Sequence, residues 1–356
     1  MLKYSVGLDI SAKTINACIS VIDAVQKVAV KSSCKIDNTV SGFKQLHQWI
    51  AKHYKQKDLP LTIAMEATGV YYENCALFLF KTGYNVAVLL PNKAKKWLQA
   101  EGLKSKNDKI DAQGLSKMGA EKALELWQPA AEYYYQLRSL TRHYQALQEQ
   151  KTALCNQVHA QEHSMYQNKQ VMKQLKQFIA LIDKQIADLS ASIEMQITSD
   201  TITAKKVENI CRIKGLGLLT VAVILAETNG FALFENAPQL VSYAGYDVIE
   251  NQSGNRKGKT KISKKGNSRI RRAMNMPALS VVKYKQKPFV ELFERTYEKH
   301  HVKMKSYVAV QKKLLVIIYG VWKNNKSFNA NRDTKELEQE LPFGSASIEA
   351  ATGCLN

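Results

Sequence analysis

The chain has 356 residues, 45% apolar and 23% charged, with 51 Lys and Arg against 31 Asp and Glu, a net charge of +20. That length suggests two or three domains with a sizeable core, and the surplus points to a polyanionic partner, nucleic acid first, because Lys and Arg gain affinity by displacing counterions from phosphates. The composition excludes a spanning helix, since no apolar run approaches the roughly 20 residues required.

The opening MLKYSVGLDIS lacks a signal-peptide pattern, so a cytoplasmic protein with no membrane partner is expected. Residues 4–30 read as paired strands, YSVGLDIS and INACISVID, turning at Ser11, Lys13 and Thr14, and a third short strand is expected near 29–36. In SGFKQLHQWIAKH the apolar positions Phe43, Leu46, Trp49 and Ile50 have helical spacing. LTIAMEA then reads as a strand, YYENCALFLFKTG as a helix closed by Gly83, and YNVAVLL as a strand ending at Pro91. Strands followed by alternating helix and strand predict an α/β layer domain over residues 1–130.

Four acids stand out in that segment. Asp9 lies inside an apolar strand and Glu66 ends another, where an ionised side chain is costly without a cation or hydrogen-bond partners. Asp108 and Asp111, in KNDKIDAQGLSKMGAEK, are three apart at a helix start and share one face. First-turn acids also complement the helix dipole with no metal, and that reading stays open for the pair. All four together suit a hard cation such as Mg²⁺, and two such ions can clamp the attacking and leaving oxygens of a phosphodiester.

Residues 131–204 differ. Leu137, Leu140, Tyr144, Leu147, Leu154 and Val158 follow a heptad, which resumes after SMYQNKQ with Leu175, Ile179, Ile182, Ile186, Leu189 and Ile193. Such spacing predicts a coiled-coil hairpin or dimerisation arm, with simple packing inside a bundle as the alternative. His159 and His163, four apart but with no third ligand, read as surface residues. The six cysteines, at 18, 34, 75, 155, 211 and 354, form no close pair and read as reduced thiols.

Residues 205–325 open with ICRIKGLGLLTVAVILAETNGF, two apolar helices around Gly215 and Gly217. This has helix-hairpin-helix character, in which backbone N–H groups can approach a phosphate, although a plain tight turn gives the same pattern. No Gly-Lys-Ser/Thr follows, so no ATP site is implied. The stretch 251–272 then carries nine basic residues and no acid: Arg256, Lys257, Lys259, Lys261, Lys264, Lys265, Arg269, Arg271 and Arg272. Such a run suits a phosphate backbone or, more simply, a solvated face, and Ser253 at its head reads by itself as a turn residue. Residues 326–356 form a polar tail.

Taken together, GLDIS, MEATGVYY, KNDKIDA and QSGNRKGKTKISKKGNSRIRR, in that order, resemble the DEDD transposases of bacterial insertion sequences, the IS-one-ten family of serine-dependent recombinases. The resemblance runs from about residue 4 to residue 285. It implies a ribonuclease-H-like, RuvC-like N-terminal domain with Asp9, Glu66, Asp108 and Asp111 as ligands of Mg²⁺, for which Mn²⁺ can substitute. It further implies a coiled-coil insertion and a small C-terminal domain in which Ser253 is the nucleophile, forming a covalent phosphoserine link to DNA. Donor and target DNA, a noncoding bridge RNA and a dimeric or tetrameric assembly in the bacterial nucleoid are the partners and setting it implies. The residues alone leave two rivals: a junction-resolving nuclease using water, and a non-catalytic nucleic-acid binder.

Overall fold

The computed structural model describes residues 1–101, 107–249, 252–253, 256–258, 261–326 and 328, with backbone alone for Gln252, Ser253, Arg256 and Lys257. Lys259 and the tail beyond 328 lie outside the described residues. The chain divides into two compact units, Met1–Pro129 and Ala130–Asn356.

The first unit runs β1 (Lys3–Ile10), β2 (Thr14–Ile22), β3 (Val28–Asp37), α1 (Val40–His53), β4 (Leu61–Glu66), α2 (Glu73–Lys81), β5 (Asn85–Leu89), α3 (Pro91–Ala100) and α4 (Asp108–Glu121). Its mixed sheet has the order β3-β2-β1-β4-β5, antiparallel among the first three strands and parallel from β1 through β4 to β5. The strand alternation expected from the sequence sorts side chains onto two faces. Tyr4, Val6, Leu8 and Ile10 of β1 and Leu61, Ile63 and Met65 of β4 form a buried cluster with Phe43, Leu46 and Ile50 of α1 and Cys75, Ala76 and Leu79 of α2. Each fully buried aliphatic side chain contributes about 1.5–3 kcal/mol, so this face holds the sheet together. The opposite face is built of small and polar groups, and α4 packs on it; Ser116 Oγ of α4 lies 2.7 Å from Ser20 Oγ of β2. Pro91 opens α3 as well as ending the strand region, since a proline suits the first turn of a helix.

The second unit begins with α5 (Glu132–Glu162) and α6 (Lys169–Thr198), which pack together as a hairpin. Lys151 meets Asp183 at 2.6 Å, and Gln196 donates to Tyr133 O at 3.5 Å. Residue numbers thus rise along one helix as they fall along the other, so the pair is antiparallel. Asn168 caps α6 by accepting from Gln170 N and Val171 N. There follow α7 (Thr201–Cys211), α8 (Leu218–Thr228), α9 (Ala237–Ala244), the two-residue strands β6 (Val248–Ile249), β7 (Gln252–Ser253), β8 (Arg256–Lys257) and β9 (Lys261–Ile262), then α10 (Ser268–Ala273), α11 (Asn275–Lys283), α12 (Lys287–His300) and α13 (Lys303–Asn324). Helix α8 is buried along most of its length, and Val221, Ile224 and Leu225 join Leu314, Leu315 and Ile318 of α13 in the core. No described helix is long and apolar enough to cross a membrane.

Candidate active site and nucleic-acid interface

The four acids of the first unit are placed by the way α4 crosses the sheet. A Cβ added at Gly7 would stand 2.1 Å from Ala112 O and 2.2 Å from Ser116 N; one at Gly119 would stand 2.2 Å from Ser5 Oγ. Helix α4 therefore runs opposite in direction to β1, with its end over Ser5 and its middle over Gly7. Its first turn, which carries Asp108 and Asp111, is directed toward the end of β1, where Asp9 lies.

Strand parity puts Asp9 on the same face as Ser5 and Gly7, and Glu66 on the same face as Ala64, which lies against Gly119. The parallel register of β1 and β4 pairs Gly7 with Ala64 and Leu8 with Met65, and the next step along both strands is Asp9 and Glu66. Both acids thus sit at the carboxyl ends of adjacent strands, the edge where open α/β sheets bind ligands. Asn107 fixes the start of α4 by accepting from Ile110 N at 2.9 Å.

Asp9, Glu66 and Asp111 are half-buried and Asp108 is exposed. The donor set is of the hard-oxygen kind that divalent cations take. As their side chains are placed, no three His, Cys, Asp or Glu among the described residues stand close enough to hold one ion. Two further residues border this edge without having drawn notice in the sequence. Asn16 is the β2 partner of Asp9, and Asn38 donates to Ser11 O at 2.8 Å and to Tyr71 O at 3.0 Å, tying the β1–β2 turn to the loop after Glu66.

Ser253 belongs to the second unit. Its strand, β7, pairs antiparallel with β8, setting Ser253 opposite Arg256, while β6 pairs with β9. The basic run is therefore partly laddered. Its returning end is fastened to the end of α9: Ser263 N donates to Asp247 O at 2.7 Å, Lys264 N to Gly245 O at 3.1 Å, and Asn267 N to Tyr243 O at 2.7 Å. Lys261, Lys264 and Lys265 are exposed. Arg271 instead donates to Ala244 O at 2.8 Å, Arg269 to Gln145 Oε1 at 3.1 Å, and Arg272 pairs with Glu149.

Gly215 has φ +98°, and a Cβ there would come 2.7 Å from Ser280 Cβ on α11, so packing demands this glycine and the tight-turn reading accounts for it. A Cβ at Gly217 would meet nothing within 4 Å. His159 and His163 are exposed and stack at 4.2 Å between ring centroids.

A buried carboxylate that did not stand out in the sequence lies beside the basic segment. Glu227, on the apolar α8, has a side chain 2% exposed. Arg142 donates to both its oxygens, at 2.7 and 2.9 Å, and Asn267 donates to Oε2 at 2.8 Å. Burial alone raises its pKa, but the hydrogen bonds from Arg142 and Asn267 and the charges of Arg142 and Arg269 outweigh it, leaving the carboxyl below its ordinary value. The signal was legible: a lone acid in LLTVAVILAET must have a partner if the helix is buried.

Two transposase models match the chain. The first, a DEDD transposase model of IS110 type, covers residues 6–167, and the second, described as the transposase IS116/IS110/IS902 family, covers residues 207–294. The chain belongs to the IS110 family of DEDD transposases. As a member of that family it is an enzyme of DNA recombination. The curated relatives include the pilin gene-inverting proteins of Moraxella bovis and Moraxella lacunata, each 27% identical over 331 residues, 92% of this chain and 98% of theirs. Among solved structures, RuvC of T. thermophilus in complex with a Holliday junction substrate matches 33% of this chain and 93% of its own at 13% identity and a TM-score of 0.26. The fowlpox virus Holliday junction resolvase matches 33% and 94% at 16% identity and a TM-score of 0.23. At such scores these likenesses assign nothing to the family member described here.

Proposed function

We propose that this transposase cuts and rejoins DNA through a covalent phosphoserine intermediate. Ser253 is the nucleophile, and Asp9, Glu66, Asp108 and Asp111 hold Mg²⁺, or Mn²⁺ in its place, in a ribonuclease-H-like, RuvC-like N-terminal domain. The observation that carries the reading is the direction of α4, which aims the first-turn acids at the strand ends bearing Asp9 and Glu66. A bound divalent cation supplies Lewis-acid stabilisation of the charge that develops on the phosphoryl oxygens.

The chain's own groups do the rest. The Ser253 Oγ forms a bond to phosphorus, the bond from phosphorus to one deoxyribose oxygen breaks, and the hydroxyl proton ends on the departing oxygen. Rejoining reverses these steps with a different strand end, so the phosphodiester energy is conserved. The exposed lysines 261, 264 and 265 hold the phosphate backbone beside the ladder that carries Ser253. Donor and target DNA are the substrates, a noncoding bridge RNA selects them, and the enzyme works as a dimer or tetramer, with α5 and α6 as the associating arm. Kinship with gene-inverting proteins supports joining of defined DNA ends over indiscriminate cleavage.

The test is a denaturing gel for a protein–DNA adduct. The enzyme, expressed with its native flanking DNA, is given Mg²⁺ and both DNA partners. An adduct in the wild type that disappears in Ser253→Ala is the expected result. Cleavage without any adduct would replace the serine with water, as in a junction-resolving nuclease.

A further inference from the structure

The proposed function leaves the Glu227 cluster without a role. A buried carboxylate is costly unless its oxygens are hydrogen-bonded and its charge matched. Arg142 of α5 and Asn267 already supply three donors, so both requirements are met by these residues alone. Arg269 nevertheless brings its Nε within 4.0 Å of the same carboxylate. One buried anion thus hydrogen-bonds one guanidinium and attracts a second, itself hydrogen-bonded to Gln145, and the two would otherwise repel each other; both remain open to solvent, with 45% of the Arg142 side chain and 39% of that of Arg269 exposed.

Around this pair the charge is again positive. One turn before Arg142, on the same face of α5, Arg138 lies 4.9 Å over the Tyr135 ring. One turn after Arg269, Arg272 pairs with Glu149 at the surface, where both side chains are more than half exposed. Three arginines therefore meet two acids along the seam between α5 and α10, with Arg138 one turn away, and an exposed ion pair such as Arg272–Glu149 is weak enough for a competing anion to displace.

A guanidinium held along one edge by a buried carboxylate has already lost much of its rotamer freedom, and its planar fork matches the oxygens of a phosphodiester. We infer that the α5–α10 seam is a phosphodiester-binding surface in which Glu227 preorganises Arg142 and Arg269. This rests on the reading of the chain as a nucleic-acid enzyme. It extends the binding surface from the basic run onto the base of the α5–α6 hairpin and makes Glu227 a positioning residue, since it acts through the two arginines.

The counter-intuitive consequence gives the test. Glu227→Gln raises the net charge by one, which by simple electrostatics tightens binding to a polyanion. Preorganisation requires the reverse. Arg142→Lys keeps the charge and loses the fork.

Full-length protein is titrated by fluorescence anisotropy with a 30-base-pair DNA duplex and, separately, with a base-paired RNA of equal length, across a salt series. Glu208→Gln, at an exposed position on α7, raises the net charge by the same one unit and controls for charge, and thermal melts confirm folding. Glu227→Gln and Arg142→Lys are expected to weaken binding about fivefold or more in at least one arm, with the salt slope falling by about one unit for each phosphate that is no longer held. The arm that responds names the nucleic acid.

Unchanged or tighter binding by both variants in both arms overturns the inference. A wild type that binds neither nucleic acid overturns it together with the nucleic-acid reading. Weakened binding by the variants of an enzyme that forms no serine adduct keeps the seam and removes only the serine chemistry.

Discussion

Gly7 lies so close beneath α4 that a Cβ on it would stand 2.1 Å from the carbonyl oxygen of Ala112. The obstructing atoms are helix backbone and cannot rotate away, so Gly7→Ala must push α4 off the sheet. We expect a drop of about 3 kcal/mol or more in urea unfolding, at the upper end of overpacking costs. Activity should fall further than stability does, because the displaced helix carries Asp108 and Asp111. A variant with wild-type stability would show that α4 does not sit where it is described.

Asp111→Asn tests the acids directly. The substitution preserves shape and removes one charged oxygen from the set. If Asp111 is a metal ligand, strand cleavage in Mg²⁺ drops by about 100-fold or more, the equivalent of a few kcal/mol of transition-state stabilisation. If it serves only the helix dipole, the cost is a few tenths of a kcal/mol in stability and cleavage is retained.

Ser253→Ala separates chemistry from binding. Adduct formation should vanish while affinity for a DNA duplex, measured by anisotropy, stays within about twofold, because one neutral hydroxyl contributes little beside the counterion release driven by the basic residues. A Ser253→Ala protein that still forms the adduct would move the nucleophile to another hydroxyl, such as Ser263 or Ser268.

Glu227 predicts a pH dependence of stability. Its pKa is lowered on folding from an ordinary value of 4.5. The stability it contributes is therefore fully present above that value and disappears as pH falls through the lower, folded-state pKa. Urea titrations at pH 7 and in mild acid should show a decline that Glu227→Gln flattens. Arg142→Ala, which leaves the buried carboxylate only Asn267 and the more distant Arg269, should cost about 3 kcal/mol at pH 7.

Apart from α3, the elements of the first unit were legible before any packing was known, and its four acids already stood out. Alternation marks the strands, and Asp9 and Glu66 interrupt them where an apolar residue would be cheaper to bury. The cap Asn107, whose oxygen accepts from Ile110 N within the same turn, is equally local although it did not stand out in the sequence. All of these are local relationships, set by side-chain period and by the unpaired N–H groups of a helix start. The order of the four motifs sufficed to place the chain in its family.

Packing supplied the relationships that no period encodes. That α4 runs opposite to β1, bringing Asp111 to the edge where Asp9 and Glu66 end, depends on Gly7 and Gly119 admitting close approach, and a glycine in a strand or helix announces no partner. Glu227 did not stand out in the sequence, and its partners Arg142 and Asn267 lie 85 and 40 residues away. A buried charge shows in the sequence that it must be satisfied, but only the packing of α5, α8 and the turn before α10 settles which residues satisfy it.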